Sequence, residues 1–80
     1  MRLTNTEMID EFLRRVNMCE GDVWLESPDG DRFNLRSKFS RYVAMGALLG
    51  AEGSKLDLFC ARREDEALFI DFFEEYPESV

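Results

Sequence analysis

Arg36-Ser37-Lys38, with Arg41 one helical turn further on, is the stretch of this sequence whose residue types best suit chemistry. A serine at a helix start can cap it through an acceptor oxygen. Arg36, Lys38 and Arg41 are the cations near that serine in the sequence. Histidine is absent, which removes the commonest general base, the commonest metal ligand and any phosphohistidine step. Cys19 and Cys60 have no Cys-x-x-Cys spacing and no ligand-type neighbours, so reduced packing thiols are expected, with no metal and no cofactor. The acid pairs Asp22 with Glu26 and Asp29 with Asp31 fall on an expected open face or turn, where carboxylates are solvated. No nucleophile stands beside a base and no Gly-rich phosphate loop can be read, so no catalytic residue and no enzyme activity is expected.

Charge narrows the partners. The net charge of −7 comes from residues 64 to 80, which hold seven acids and no base, whereas residues 32 to 51 hold Arg32, Arg36, Lys38 and Arg41 and no acid. A local cationic patch on an acidic chain is too small to neutralise a phosphate backbone, so no nucleic acid partner is expected. The longest uncharged run, Tyr42 to Ala51, is about half a bilayer span, so no membrane partner is expected either. The first residues carry Glu7 and no apolar run, which does not fit a secretory signal and makes the cytoplasm the expected compartment.

Eighty residues with 45% apolar and 34% charged side chains fit one globular domain, 1–80, with a thin core. From Thr4 or Asn5 to Met18, the residues Met8, Ile9, Phe12, Leu13 and Val16 recur at helical spacing, with Thr4 and Glu7 as a capping box or Thr6 as the cap. Asp22 to Glu26 and Arg32 to Arg36 alternate around a Pro28-Asp29-Gly30 turn, which predicts a hairpin with Val23, Leu25, Phe33 and Leu35 on one face. Ser37 can cap a short second helix that Gly46 and Gly50 are expected to break. Lys55 to Cys60 alternates as a third strand, and Glu64 to Tyr76 carries a stripe of Leu68, Phe69, Phe72, Phe73 and Tyr76 that predicts a last helix ended by Pro77.

Two amphipathic helices need a sheet face to cover, so the fold class is α/β, a two-layer open-faced sandwich on an antiparallel sheet. Trp24 and Phe59 fall on the uncovered face. They form a stabilising cross-strand pair if their strands are neighbours, or a patch for a partner.

The order helix, strand, strand, short helix, strand, helix, together with three local patterns, resembles the HPr family of small phosphotransferase-system carriers. Asp29-Gly30 leading to Asn34-Leu35-Arg36-Ser37 is similar to the family's Asn-Gly turn and Asn-Leu-Lys-Ser segment. Gly46 to Glu52 is similar to its Gly-x-x-x-Gly-Ala-Glu passage, and Glu64-Asp65-Glu66-Ala67 to the acidic start of its final helix. The resemblance covers roughly two thirds of the chain.

Two departures set the functional expectation. The family's phosphoryl-accepting His, with its following Arg and Pro, is matched here by Asn5 to Ile9, which contain none of the three. The family's first strand has no counterpart. The resemblance therefore implies a Crh-like member without phosphocarrier activity, acting as a regulatory protein-binding module, with a structural or assembly module as the alternative. It implies regulatory phosphorylation at Ser37 and a protein partner, a kinase or a transcription regulator, contacting Arg36, Lys38, Phe39 and Tyr42. Where the family has small aliphatic groups, this chain has Phe39 and Tyr42, which the core of a small sandwich also needs, and the core is their expected place. If the family's sheet order is kept, the missing strand leaves Lys55 to Cys60 as an open edge, through which a homodimer, or the Met1 to Thr4 arm of a neighbour, could complete the sheet.

Overall fold

In the computed structural model, which describes residues 3–49 and 55–79, the first helix, α1, runs from Thr6 to Met18. Its cap is Asn5, in extended backbone, whose side-chain oxygen accepts from the Met8 N–H at 2.9 Å. Thr4 and Thr6, the expected caps, are not used in this way. The carboxamide of Asn5 already sits where it can reach the third amide of the helix, and the Thr4 hydroxyl turns instead to the Met8 sulfur at 3.1 Å. Met8, Phe12 and Val16 are fully buried, as their spacing predicts.

Strands β1 (Val23–Glu26) and β2 (Arg32–Asn34) form the expected hairpin, with Leu25 opposite Phe33. Gly30 supplies the turn with φ of 90°, a backbone conformation that strains any side chain, and its N–H donates to the Ser27 carbonyl at 3.0 Å. Strand β3 (Asp57–Cys60) pairs antiparallel with the other side of β1, giving the order β2-β1-β3. Among the described residues β3 is thus an edge strand.

Helix α2 spans Lys38–Leu49 without a break at Gly46. A mid-helix glycine costs about 1 kcal/mol relative to alanine, and burial of Ala44 and Leu48 on the opposite side of α2 offsets that cost. Gly50 and the rest of the Gly-Ala-Glu passage lie outside the described residues. Helix α3 (Glu66–Glu75) follows a single 3-10 turn at Arg63–Asp65 and stops before Pro77.

One sheet face is covered. Phe12 of α1 packs against Phe69 and Phe72 of α3, each ring pair 5.7 Å apart, and Val23, Leu25 and Leu35 meet them from the sheet. Leu3, Ala44 and Leu48 close the same core from the β2 end, where α2 packs. The result is a mixed α/β sandwich of three helices on a three-stranded antiparallel open sheet.

Two polar clamps tie the layers together. Arg15 of α1 is buried and donates to Glu11 at 2.9 Å, Asp71 at 2.8 Å, Glu75 at 2.8 Å and the Leu68 carbonyl at 2.8 Å. Burial pulls its pKa down, but the hydrogen bonds to Glu11 and Asp71 outweigh it, and the net direction is up. The buried Asp65 carboxylate accepts the Glu20 and Gly21 N–H groups at 3.2 and 3.0 Å, holding the loop after α1 against the start of α3. Gly21 is needed there, because a Cβ would lie 2.6 Å from the Arg62 side chain.

Candidate functional site

Ser37 occupies the corner between β2 and α2. Its N–H donates to the Asn34 carbonyl at 3.3 Å, and its own carbonyl accepts from Arg41 at 2.8 Å, the first bond of the helix. The hydroxyl is on an exposed residue and takes no hydrogen-bond partner among the described residues, so Ser37 begins the helix through its backbone.

The cations around Ser37 are not equivalent. Arg36 donates from Nη1 to the Cys19 carbonyl and, at 3.4 Å, to the Gly21 carbonyl. Arg41 donates to the Leu35 carbonyl at 2.8 Å and to Asn17 Oδ1 at 3.2 Å. Both guanidinium groups pin α1 and its following loop to the β2–α2 corner, yet neither meets a carboxylate among the described residues. Lys38 is exposed and makes no ion pair among the described residues, which leaves it the cation freest to follow a group on Ser37.

Phe39 and Tyr42, expected in the core, are instead 80% and 83% exposed, and Val43 beside them is 48% exposed. The reason is rotational. At 100° per residue, Phe39, Tyr42, Val43 and Gly46 fall on one face of α2, while Arg41, Ala44, Met45 and Leu48 fall on the other. The core takes the second face, where Ala44 and Leu48 are fully buried and Met45 packs against it. Gly46, on the outer face, is exposed with nothing within 4 Å of where a Cβ would stand. That glycine is the one sequence signal that pointed outward. A shallow groove of about 440 Å³ runs beside this face, lined by Leu13, Lys38, Arg41, Tyr42 and Met45.

The second predicted patch packs against itself, though the buried Trp24 Nε1 is left unpaired among the described residues. Trp24 and Phe59 are directly opposite across β1 and β3, their rings stacked 5.8 Å apart at 19°. Arg32 lies over the indole at 5.1 Å and pairs with Glu26 at 3.3 Å. Trp24 is only half-buried by these neighbours, and its Nε1 has no hydrogen-bond partner among the described residues. The geometry is that of a cross-strand stabilising pair.

Neither thiol is arranged for reaction. Cys19 is buried and donates to the Arg15 carbonyl, and burial pushes its pKa up; burial likewise pushes Cys60 up to about 11. Both are free thiols. Thiolates are the reactive form, so both are poor nucleophiles at neutral pH. Among the described residues, no cluster of His, Cys, Asp or Glu could hold a metal ion, and no helix is long and apolar enough to cross a membrane.

The site and fold define a small open-faced α/β sandwich whose second helix displays aromatic side chains beside an exposed serine. Compared with known protein families, characterised proteins and solved structures, the chain matches none.

Proposed function

We propose that this protein is a non-catalytic, HPr-like regulatory module that acts by binding a protein partner through α2, under control of Ser37. The observation that carries this reading is the exposure of Phe39 and Tyr42 on the first turns of α2, next to Ser37. Two large aromatic side chains left in water are costly to solubility and suit the anchoring role that aromatics play in interfaces. The cations at the same corner suit a partner with acidic groups, and a phosphate on Ser37 would reverse part of that field.

The HPr-like part of the reading rests on the residue patterns and on the sheet. Removing the first strand from the family's order leaves the last strand at an edge beside the hairpin, and β2-β1-β3 has that arrangement. With no imidazole in the chain, phosphohistidine carriage of the family's kind has no group to use. The cytoplasm is the compartment in which such a module would meet a kinase or a transcription regulator.

The test is a binding titration of the purified protein against sugar-regulated transcription regulators, with and without phosphate on Ser37. Binding that changes with phosphorylation and is lost in Phe39→Ser and Tyr42→Ser is expected. Absence of binding in either phosphorylation state would overturn the regulatory reading. A second reading, an assembly module working through self-association, draws on the uncovered edge of β3.

A further inference from the structure

The two edges of the sheet end differently. At the β2 edge the Asn34 carbonyl accepts from Ser37, and Arg32 and Asn34 are polar and exposed. At the other edge, the Ala61 N–H donates to the Asp22 carbonyl at 2.9 Å and Trp24 stands opposite Phe59. Antiparallel hydrogen bonding alternates, so residues 57, 59 and 61 turn their backbone groups toward β1, and Leu58 and Cys60 turn theirs outward. Along that outward edge lies a mostly apolar depression of about 240 Å³ lined by Leu58, Phe59, Cys60, Phe69, Ile70, Phe73 and the acidic Glu66, with Ile70 57% exposed. Within β3 only Asp57 guards the edge with charge.

We propose that this edge is where two copies of the chain join, β3 against β3, antiparallel and centred on Phe59. This inference does not rest on the function proposed above. An exchanged N-terminal arm is disfavoured as the occupant, because Leu3 is buried in its own chain's core and its N–H donates to the Leu48 carbonyl at 3.5 Å. The edge is complementary to itself. Phe59 is the midpoint of residues 57 to 61, the last of which follows β3 and still donates to the Asp22 carbonyl, so a two-fold axis there sets Leu58 opposite Cys60 of the second copy on both sides of the axis. Outward donors then meet outward acceptors in about four N–H···O bonds. The same register places Asp57 opposite Ala61 of the second copy, so the two Asp57 carboxylates do not face each other. It sets the two Phe59 rings side by side, extending the Trp24–Phe59 stack into a row of four rings. On the helix side, Ile70 of each copy lies along the apolar depression that the joined strands close.

Sedimentation velocity of the wild-type chain over a wide concentration range, followed by cross-linking, tests this. Centred on Phe59, a Phe59→Cys pair occupies a non-hydrogen-bonded position about 4.5 Å apart between Cα atoms, within disulfide reach. Asp57→Cys residues would be roughly 13 Å apart along the strands, out of reach. With both changes made in a Cys60→Ala background, the expected result is a wild-type mass that rises with concentration toward twice 9.4 kDa and a disulfide dimer from Phe59→Cys but not Asp57→Cys. A wild-type chain that stays monomeric throughout overturns the proposal. So does a dimer in which Phe59→Cys cross-links no better than Asp57→Cys.

Discussion

Helices α1 and α2 differ in length by one residue, thirteen against twelve, and both carry apolar residues at helical spacing, but the fold uses them in opposite ways. α1 sends Met8, Phe12 and Val16 into the core and keeps its acids and Arg14 outside. α2 buries only Ala44 and Leu48 and sets Phe39, Tyr42 and Val43 toward water. One helix is committed to stability. The other gives Ala44, Leu48 and part of Met45 to the core and leaves its aromatic side chains in water, the reverse of what stability alone would select.

Large-to-small changes should separate the helices most sharply. Phe12→Ala removes a ring that meets both Phe69 and Phe72, and a loss of roughly 3–5 kcal/mol in denaturant unfolding is expected. In so small a domain that takes most of the available stability. Unfolding free energies of the two helices' variants that fail to differ would collapse the distinction.

A smaller effect is expected at the polar seam of α1. Arg15→Met keeps the stem packed against Phe72 but loses the bonds to Glu11, Asp71, Glu75 and the Leu68 carbonyl, for a loss on the order of 2 kcal/mol. The exposed carboxylates of Asp71 and Glu75 can return to water, which limits the cost.

Acidification probes the same seam. Hydrogen bonds from Arg14 and Arg15 hold Glu11 at about 2, below its ordinary 4.5. The folded state therefore binds this proton less readily than the unfolded chain. The contribution is fully present above the unfolded value and is lost as pH falls from about 4.5 toward 2. Stability measured across that window should decline less steeply in Glu11→Gln than in the wild type, and an unchanged slope would remove Glu11 from the account.

The smallest expected stability change is on α2. Phe39→Ser and Tyr42→Ser should each leave unfolding within about 0.5 kcal/mol of wild type, because neither side chain gives up buried area. A loss of several kcal/mol from either would show that the outward face supports the fold after all.

The contrast between the helices also marks how far the sequence could be read. α1, the hairpin, β3 and α3 follow from a single strong period each, and the opposition of Trp24 and Phe59 follows once β1 and β3 are neighbours. α2 has apolar residues on nearly every side, so its period does not say which face the core takes. Gly46 was read as a breaker, though on an exposed face it costs the helix little. The anchoring of Arg36 to the Cys19 and Gly21 carbonyls, and of Arg41 to the Leu35 carbonyl and Asn17 Oδ1, depends on the end of α1, its following loop and the β2–α2 corner meeting, which no local pattern encodes. Residue type and position suggest Ser37 only as a helix cap, a role its hydroxyl does not take among the described residues, and its phosphorylation is an implication of the resemblance alone.

Recognition in place of phosphoryl carriage is tested most directly by intact-mass measurement after two parallel incubations. One uses an HPr kinase with ATP, the other phosphoenolpyruvate with the phosphotransferase system's first enzyme. One phosphate on Ser37 from the kinase and none from the first enzyme is the expected result. A phosphate delivered by the first enzyme, or a chain the kinase leaves unmodified, would contradict it.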